Sequence, residues 1–219
     1  MKSLIKQLVD EQIAESVLVK QALASSPEVI TAIQEAAQKC VAVYQRGNKI
    51  LIAGNGGSAA DAQHMAAELS GRFNFDRPGI PAIALTANSS AVTAIANDYG
   101  YEKVFSRQTE AYGQAGDLFI GISTSGNSKN ILAAIAQCQA QNMETIGLTG
   151  STGGQMAQAC DVCIQIPSQS TPRVQECHIL VVHLLCAAVE EVLFGEYSGG
   201  NKTPSEKSEA YANPMLLSA

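Results

Sequence analysis

The spacing of apolar residues changes along the chain, and each change marks an element. Residues 3–23 carry Leu4, Ile5, Leu8, Val9, Ile13, Val17 and Leu18 at helical spacing. A second helix is predicted after Ser26-Pro27, a capping serine followed by proline at the first helical position, and Gly47 follows its last turn. The pattern then shortens to apolar-rich runs of strand length at 50–53, 82–85, 117–122, 144–148 and 162–166. Helical stretches separate them: an Ala-rich one after Ser58, one through Thr93 and Ile95 ending near Asn97-Asp98-Tyr99-Gly100, one over about 101–112, and one through Ile131, Leu132 and Ile135. A long apolar helix from Thr171-Pro172 to about Phe194 closes the pattern. Strand–helix alternation predicts an α/β sandwich, a parallel sheet covered by helices. Two helices before the first strand exceed what a minimal doubly wound domain needs. They either cover their own sheet or lay their stripes on another subunit, and both readings stand. Residues 1–194 read as one domain with an N-terminal helical extension, and 195–219, with Gly199-Gly200, Pro204 and mixed charges, as a flexible tail.

Composition narrows the class. The 219 residues are 46% hydrophobic, enough for a sizeable core. A net charge of −6 argues against a direct nucleic-acid footprint or an anionic-membrane surface. Lys2 and Lys6 are followed by Asp10 and Glu11, so no signal-peptide pattern opens the chain, and no apolar run is expected to span a membrane. A cytoplasmic protein is the expectation. The six cysteines then read as reduced thiols. Cys160-x-x-Cys163 lacks the second pair that a zinc site needs and enters a strand rather than opening a helix, so both read as core or edge thiols.

Two loops carry the chemistry. The first strand empties into Gly54-Asn55-Gly56-Gly57-Ser58 and then a helix, a junction where bare N–H groups and a helix N-terminus favour a phosphate. Further along that helix His64 and Glu68 stand four residues apart, hence on one face. Gly54, Gly56 and Ala59 also satisfy a loose dinucleotide pattern, but the next strand ends in Thr86-Ala87-Asn88-Ser89 without the carboxylate that would hold a ribose. No P-loop motif occurs. The strand at 117–122 empties into Ser123-Thr124-Ser125-Gly126-Asn127-Ser128, whose hydroxyls suit phosphate oxygens through neutral donors, where a merely capped helix would need one. On the last helix Gln175, Glu176, His178 and His183 interrupt the apolar run. Gln175 and His178 are three apart, whereas His183 lies two turns on and about 80° round, so spacing favours His178 as the partner of Gln175.

Taken together, Gly54-Asn55-Gly56-Gly57-Ser58 with His64 and Glu68, then Asn97-Asp98, the 123–128 loop, and Arg173-Val174-Gln175-Glu176 with His183, resemble the phosphoheptose isomerase branch of the sugar-isomerase (SIS) domain family. The resemblance runs over residues 1–194. It implies a three-layer sandwich with a five-stranded parallel flavodoxin-like sheet, a homotetramer, and active sites built between subunits. It implies conversion of sedoheptulose 7-phosphate to D-glycero-D-manno-heptose 7-phosphate, toward the heptose of lipopolysaccharide core. By position it makes Ser123, Thr124, Ser125 and Ser128 the phosphate clasp. Asn55, Gly56, Gly57, Asn97 and Asp98 become the sugar lining, Glu68 and His183 the catalytic pair, and His64, Glu68, Gln175 and His183 the ligands of one Zn²⁺ per subunit. Pro172 departs from the small or acidic residue usual there, which bears on the turn that presents Gln175.

The chemistry is consistent with that assignment. Moving a carbonyl from C2 to C1 passes through an enediol, with a carboxylate to move the carbon-bound proton and an imidazole to serve the oxygens. Two rivals share the fold. One is a non-enzymatic cousin that associates with the bacterial replication initiator and lacks equivalents of Glu68 and His183. The others are SIS isomerases of aminosugar or pentose phosphates, which share the serine loop but not that pair.

Overall fold

The computed structural model describes residues 1–198, and its five apolar runs form one parallel sheet. The strands are β1 (Ile50–Gly54), β2 (Ala82–Ala84), β3 (Leu118–Ile122), β4 (Glu144–Thr149) and β5 (Val162–Gln165), in spatial order β2-β1-β3-β4-β5. Every residue of β1 and β3 is buried, because helices cover both faces, and this is why these strands read as unbroken apolar runs. β1 lies in register against β3, Ile50 opposite Leu118 through Gly54 opposite Ile122.

The helices are α1 (Lys2–Ala24), α2 (Pro27–Gln45), α3 (Gly57–Ser70), α4 (Ser89–Tyr99), α5 (Val104–Tyr112), α6 (Lys129–Ala140), α7 (Met156–Ala159) and α8 (Thr171–Phe194). On one face Ile50, Ile52, Ile120, Leu148 and Ile164 pack with Ile33 and Val43 of α2, Met65 and Leu69 of α3, and Val181 and Leu185 of α8. On the other, Leu51, Ala53 and Phe119 pack with Val104 and Phe105 of α5, Ile131 and Ile135 of α6, and Met156 of α7. Each such side chain contributes roughly 1.5–3 kcal/mol by leaving water. The three-layer sandwich is therefore real, and the one-turn helix α7 is the element the sequence pattern did not announce.

The two readings of the N-terminal helices divide between them. α2 covers the sheet, burying Val29, Ile33, Ala36, Cys40 and Val43. α1 buries only Leu23; residues 1–14 are all exposed, and so are Val17 and Leu18. Its second half is tied to α8 by polar contacts: Ser16 Oγ donates to Glu176 Oε2 at 2.6 Å, and Arg173 Nη1 donates to the carbonyl of Gln12.

α8 corrects one expectation. At 24 residues with mean hydropathy 1.9 over its most apolar window, it is long and apolar enough to cross a membrane. Its apolarity is spent inside the domain, where Val174, Cys177, Val181, Val182, Leu185, Cys186 and Val189 are buried. The thiols lie where expected: all six are free, and burial pushes the Cys160 thiol up to about 12, which keeps it protonated and inert. Gly195–Ser198 form a 3₁₀ turn, and the rest of the expected flexible tail, 199–219, lies outside the described residues.

Candidate active site

Strand β1 delivers the chain to Gly56, which caps α3 with φ 56°, and the first helical residue is Gly57. A Cβ on Gly57 would stand 2.5 Å from Gln175 Nε2, so the bare glycine lets the amide from α8 lie against the start of α3, and a side chain there would push it away. Two turns later the same two helices meet again. His183 Nε2 lies 3.2 Å from His64 Nε2, and His64 Nε2 lies 3.0 Å from Glu68 Oε1. The Phe73 ring closes one side of His183, with centroids 5.5 Å apart. His64, Glu68, Gln175 and His183 thus gather along the α3–α8 seam of a single chain. The side chains of His64 and Glu68 stay 43% and 25% exposed, so this seam opens to a ligand.

His178 faces elsewhere. It is fully buried, its Nε2 is 3.2 Å from the Thr149 carbonyl at the end of β4, and its Nδ1 has no partner. Burial pulls its pKa down to about 4, so the ring is neutral and donates from Nε2. Pro172 leaves the turn that presents Gln175 undisturbed. It occupies the first turn of α8, where its missing N–H is not needed, and Val174 N–H still bonds the Ser170 carbonyl at 2.9 Å.

The serine loop bridges β3 and α6. Ser123 Oγ is 2.8 Å from Ser128 Oγ and 3.4 Å from Ser125 Oγ, so three hydroxyls converge. Ser128 occupies the cap position of α6 yet makes no side-chain cap bond, which leaves the helix N-terminus open to an anion. Gly126, at φ 65°, allows the 150s loop to press close: a Cβ there would fall 2.0 Å from the Gly153 carbonyl oxygen. The neighbouring cation, Lys129, pairs with Glu102 at 2.9 Å. Thr124 is half-buried within the same loop.

Asn55 links the two loops. Its amide exchanges a reciprocal pair of hydrogen bonds with Asn130, at 3.0 and 2.8 Å, and Tyr101 Oη donates to Asn55 Oδ1 at 3.1 Å. Neither Asn130 nor Tyr101 was anticipated. A buried asparagine two residues into α6 must find a partner, and that was the available signal. Asn97 and Asp98 lie exposed at the end of α4, hydrogen-bonded to each other at 2.8 Å. α4 buries none of its residues.

The donor set fits a zinc ion in chemistry and in pairwise spacing. Tetrahedral ligation at 2.0–2.1 Å sets neighbouring donor atoms about 3.3 Å apart, close to the 3.0 and 3.2 Å seen around His64 Nε2. Two imidazole nitrogens that face each other need either a shared proton or a shared cation. The set is not closed about one point as it stands: among the described residues no three His, Cys, Asp or Glu side chains form a ready metal-holding group.

An open parallel sheet with two helix N-termini at its switch point, and two imidazoles and a carboxylate beside them, is an architecture suited to a phosphorylated ligand. Residues 18–150 match the SIS domain family. A phosphoheptose isomerase of Aneurinibacillus thermoaerophilus is 55% identical over 186 residues, covering 85% of this chain and 94% of that one. The structure of a phosphoheptose isomerase from Neisseria gonorrhoeae superposes with TM-score 0.80 at 41% identity, covering 85% of this chain and 99% of that one. One from Francisella tularensis gives 0.81 at 36% identity, covering 87% and 100%. The chain belongs to the SIS-domain family and, within it, to the phosphoheptose isomerases.

The two α8 histidines should separate cleanly in experiment. With a folded pKa of about 4 against an ordinary 6.5, the unfolded chain takes up the His178 proton first on acidification. This contribution to stability is present above pH 6.5 and drains away as pH falls toward 4, by roughly 3 kcal/mol in all. His178→Met should therefore flatten that part of the stability–pH curve, measured by denaturant titration, while turnover stays near wild type. His183→Gln should do the reverse.

Proposed function

We propose that this protein interconverts sedoheptulose 7-phosphate and D-glycero-D-manno-heptose 7-phosphate through an enediol, supplying heptose for lipopolysaccharide core. The observation that carries the reading is the chain of contacts across the α3–α8 seam, with His183 Nε2 3.2 Å from His64 Nε2 and His64 Nε2 3.0 Å from Glu68 Oε1. A chain with only the fold would have no reason to bring two imidazoles and a carboxylate together at a part-exposed surface. The rival that associates with the replication initiator lacks this pair, and the setting expected for the enzyme is the cytoplasm.

In the proposed reaction Ser123, Thr124, Ser125 and Ser128 hold the phosphoryl group at the open end of α6. Asn55, Gly56, Gly57, Asn97, Asp98 and Gln175 line the sugar. Glu68 carries the proton between the two carbons, and His183 moves the proton between their oxygens. His64, Glu68, Gln175 and His183 would hold Zn²⁺, which when bound supplies polarisation of the sugar oxygens.

The exposed stripe of α1 supports a homo-oligomer, with the family's tetramer as the state we assign. Leu4, Ile5, Leu8, Ile13 and Leu18 are each more than half exposed, at 54–69%. Each would contribute roughly 1.5–3 kcal/mol if buried between copies.

Three measurements test this reading. Incubation with sedoheptulose 7-phosphate should yield the aldose, and Glu68→Gln should keep the fold and phosphate binding while turnover drops by about 10²–10⁴. Near-normal turnover in that variant would remove Glu68 from its role. Chelation should suppress the rate and added zinc restore it; a rate indifferent to both would take the metal out of the mechanism. Leu8→Glu with Ile13→Glu should shift sedimentation toward smaller species, and an unchanged assembly would reject α1 as the contact.

A further inference from the structure

The α3–α8 seam has a second meeting point, wholly inside the protein. Arg77 and Glu190 form an ion pair at 3.1 Å, Nε to Oε1, with both side chains at 0% exposure. Glu190 sits on α8 among Leu185, Cys186 and Val189, an apolar setting in which a carboxylate needs every lone pair matched. Two backbone donors complete the set: Phe73 N–H bonds Oε1 at 2.9 Å, and Asn74 N–H bonds Oε2 at 2.6 Å. Arg77 is equally committed. Its Nη2 donates to the Glu68 carbonyl at 2.8 Å, and its Nη1 donates to the carbonyls of Leu69, Gly71 and Pro78 at 2.8, 3.1 and 3.1 Å.

These partners are not generic. Glu68 and Leu69 lie in the last turn of α3, where carbonyls lack helical partners and a cation is favoured. Glu68 is also the residue assigned to move the carbon-bound proton. Phe73, whose N–H is held by Glu190, is the residue whose ring packs on His183. Glu190 itself follows His183 by seven residues, two turns along the same face of α8. One ion pair therefore grips the backbone of Glu68, the segment carrying Phe73, and the helix carrying His183.

We propose that Arg77 and Glu190 are positioning residues: their buried pair fixes the separation of Glu68 and His183, and so sets the rate of proton transfer in the reaction proposed above, on which this inference rests. Buried ion pairs are poor sources of stability against well-packed apolar substitutes but demand a defined geometry. Here that geometry is conveyed to two reacting groups. The serine turn lies at the other helix layer's edge of the crevice, so substrate affinity is set elsewhere.

The test compares Glu190→Gln, Arg77→Lys and Phe73→Leu with wild type, reading kcat and KM on sedoheptulose 7-phosphate, thermal midpoint, and the imidazole NMR signals. The chain has three histidines, so His64 and His183 are resolvable. Clamp variants that remain folded should lose roughly 10- to 100-fold in kcat, the scale of an ångström-level misplacement. Their KM should stay within about threefold, the His64 and His183 signals should shift, and His178 should stay in place. Arg77→Lys, which keeps the charge but not the fork, should fall between wild type and Glu190→Gln. A lowered thermal midpoint with unchanged kcat and unmoved imidazole signals would overturn the proposal and leave the pair a purely structural one. Should Glu190→Gln fail to fold, Phe73→Leu decides, because it leaves the ion pair intact: unchanged kcat there overturns the link to His183. If wild type itself shows no isomerisation, the functional reading fails instead, and the imidazole shifts alone judge the clamp.

Discussion

Everything at this site follows from β1 and β3 being neighbours in the sheet while their outgoing helices leave to opposite faces. A right-handed crossover from β1 to β2 puts α3 on one face, and one from β3 to β4 puts α6 on the other. The polypeptide cannot fill the space directly above the two strand ends, and both helix N-termini point toward it. A crevice flanked by two sets of free N–H groups is thus a consequence of topology before any functional side chain is chosen. Glycines at 56 and 57 keep one turn clear of side chains, and the serines at 123–128 line the other with hydroxyls. α8 then crosses α3 on the same face and supplies the third wall.

The division of labour across the crevice has a physical logic. On the α6 side the donors are hydroxyls and backbone N–H groups, and Lys129 is turned to Glu102. On the α3–α8 side stand the carboxylate and the imidazoles. In the proposed reaction, neutral donors would hold the phosphate without placing a fixed charge near the groups that exchange protons. The cost is solvent access: in one chain the α3–α8 seam is open, and water in it weakens every charged interaction. Among the described residues α1 buries only Leu23 and α4 buries none, so each of these helices keeps an exposed face.

Much of this was legible in the sequence for a definable reason. Strands buried on both faces announce themselves as unbroken apolar runs, and His64 and Glu68 share a helical face by spacing alone. What failed was any inference that crossed between elements. Spacing within α8 favoured His178, but the identity of the functional histidine is set by where α8 crosses α3, and that crossing is invisible to a one-dimensional pattern. The same holds for Arg77 and Glu190, 113 residues apart in sequence, and for Asn55 with Asn130. Pro172, which looked disruptive, is neutral because the first helical turn has no use for its missing N–H. The stripe of α1 was read as covering either its own sheet or another subunit, and nothing in the one-dimensional pattern could tell these apart; among the described residues it stays largely exposed.

One tension in the mechanism is eased by how Glu68 is anchored. A carboxylate that ligates a cation is a poorer base, so serving both roles looks contradictory for a single residue. A carboxylate has two oxygens and about four lone-pair directions. With Oε1 turned to His64 at 3.0 Å, the second oxygen is a separate acceptor on the same group. The backbone of Glu68 is meanwhile held by Arg77 through its carbonyl. This anchor fixes the point from which the side chain leaves α3, while the side chain keeps its own torsional freedom. In the proposed reaction the two roles of Glu68 would then fall on different oxygens of one carboxylate, one toward the cation and one toward the sugar carbon.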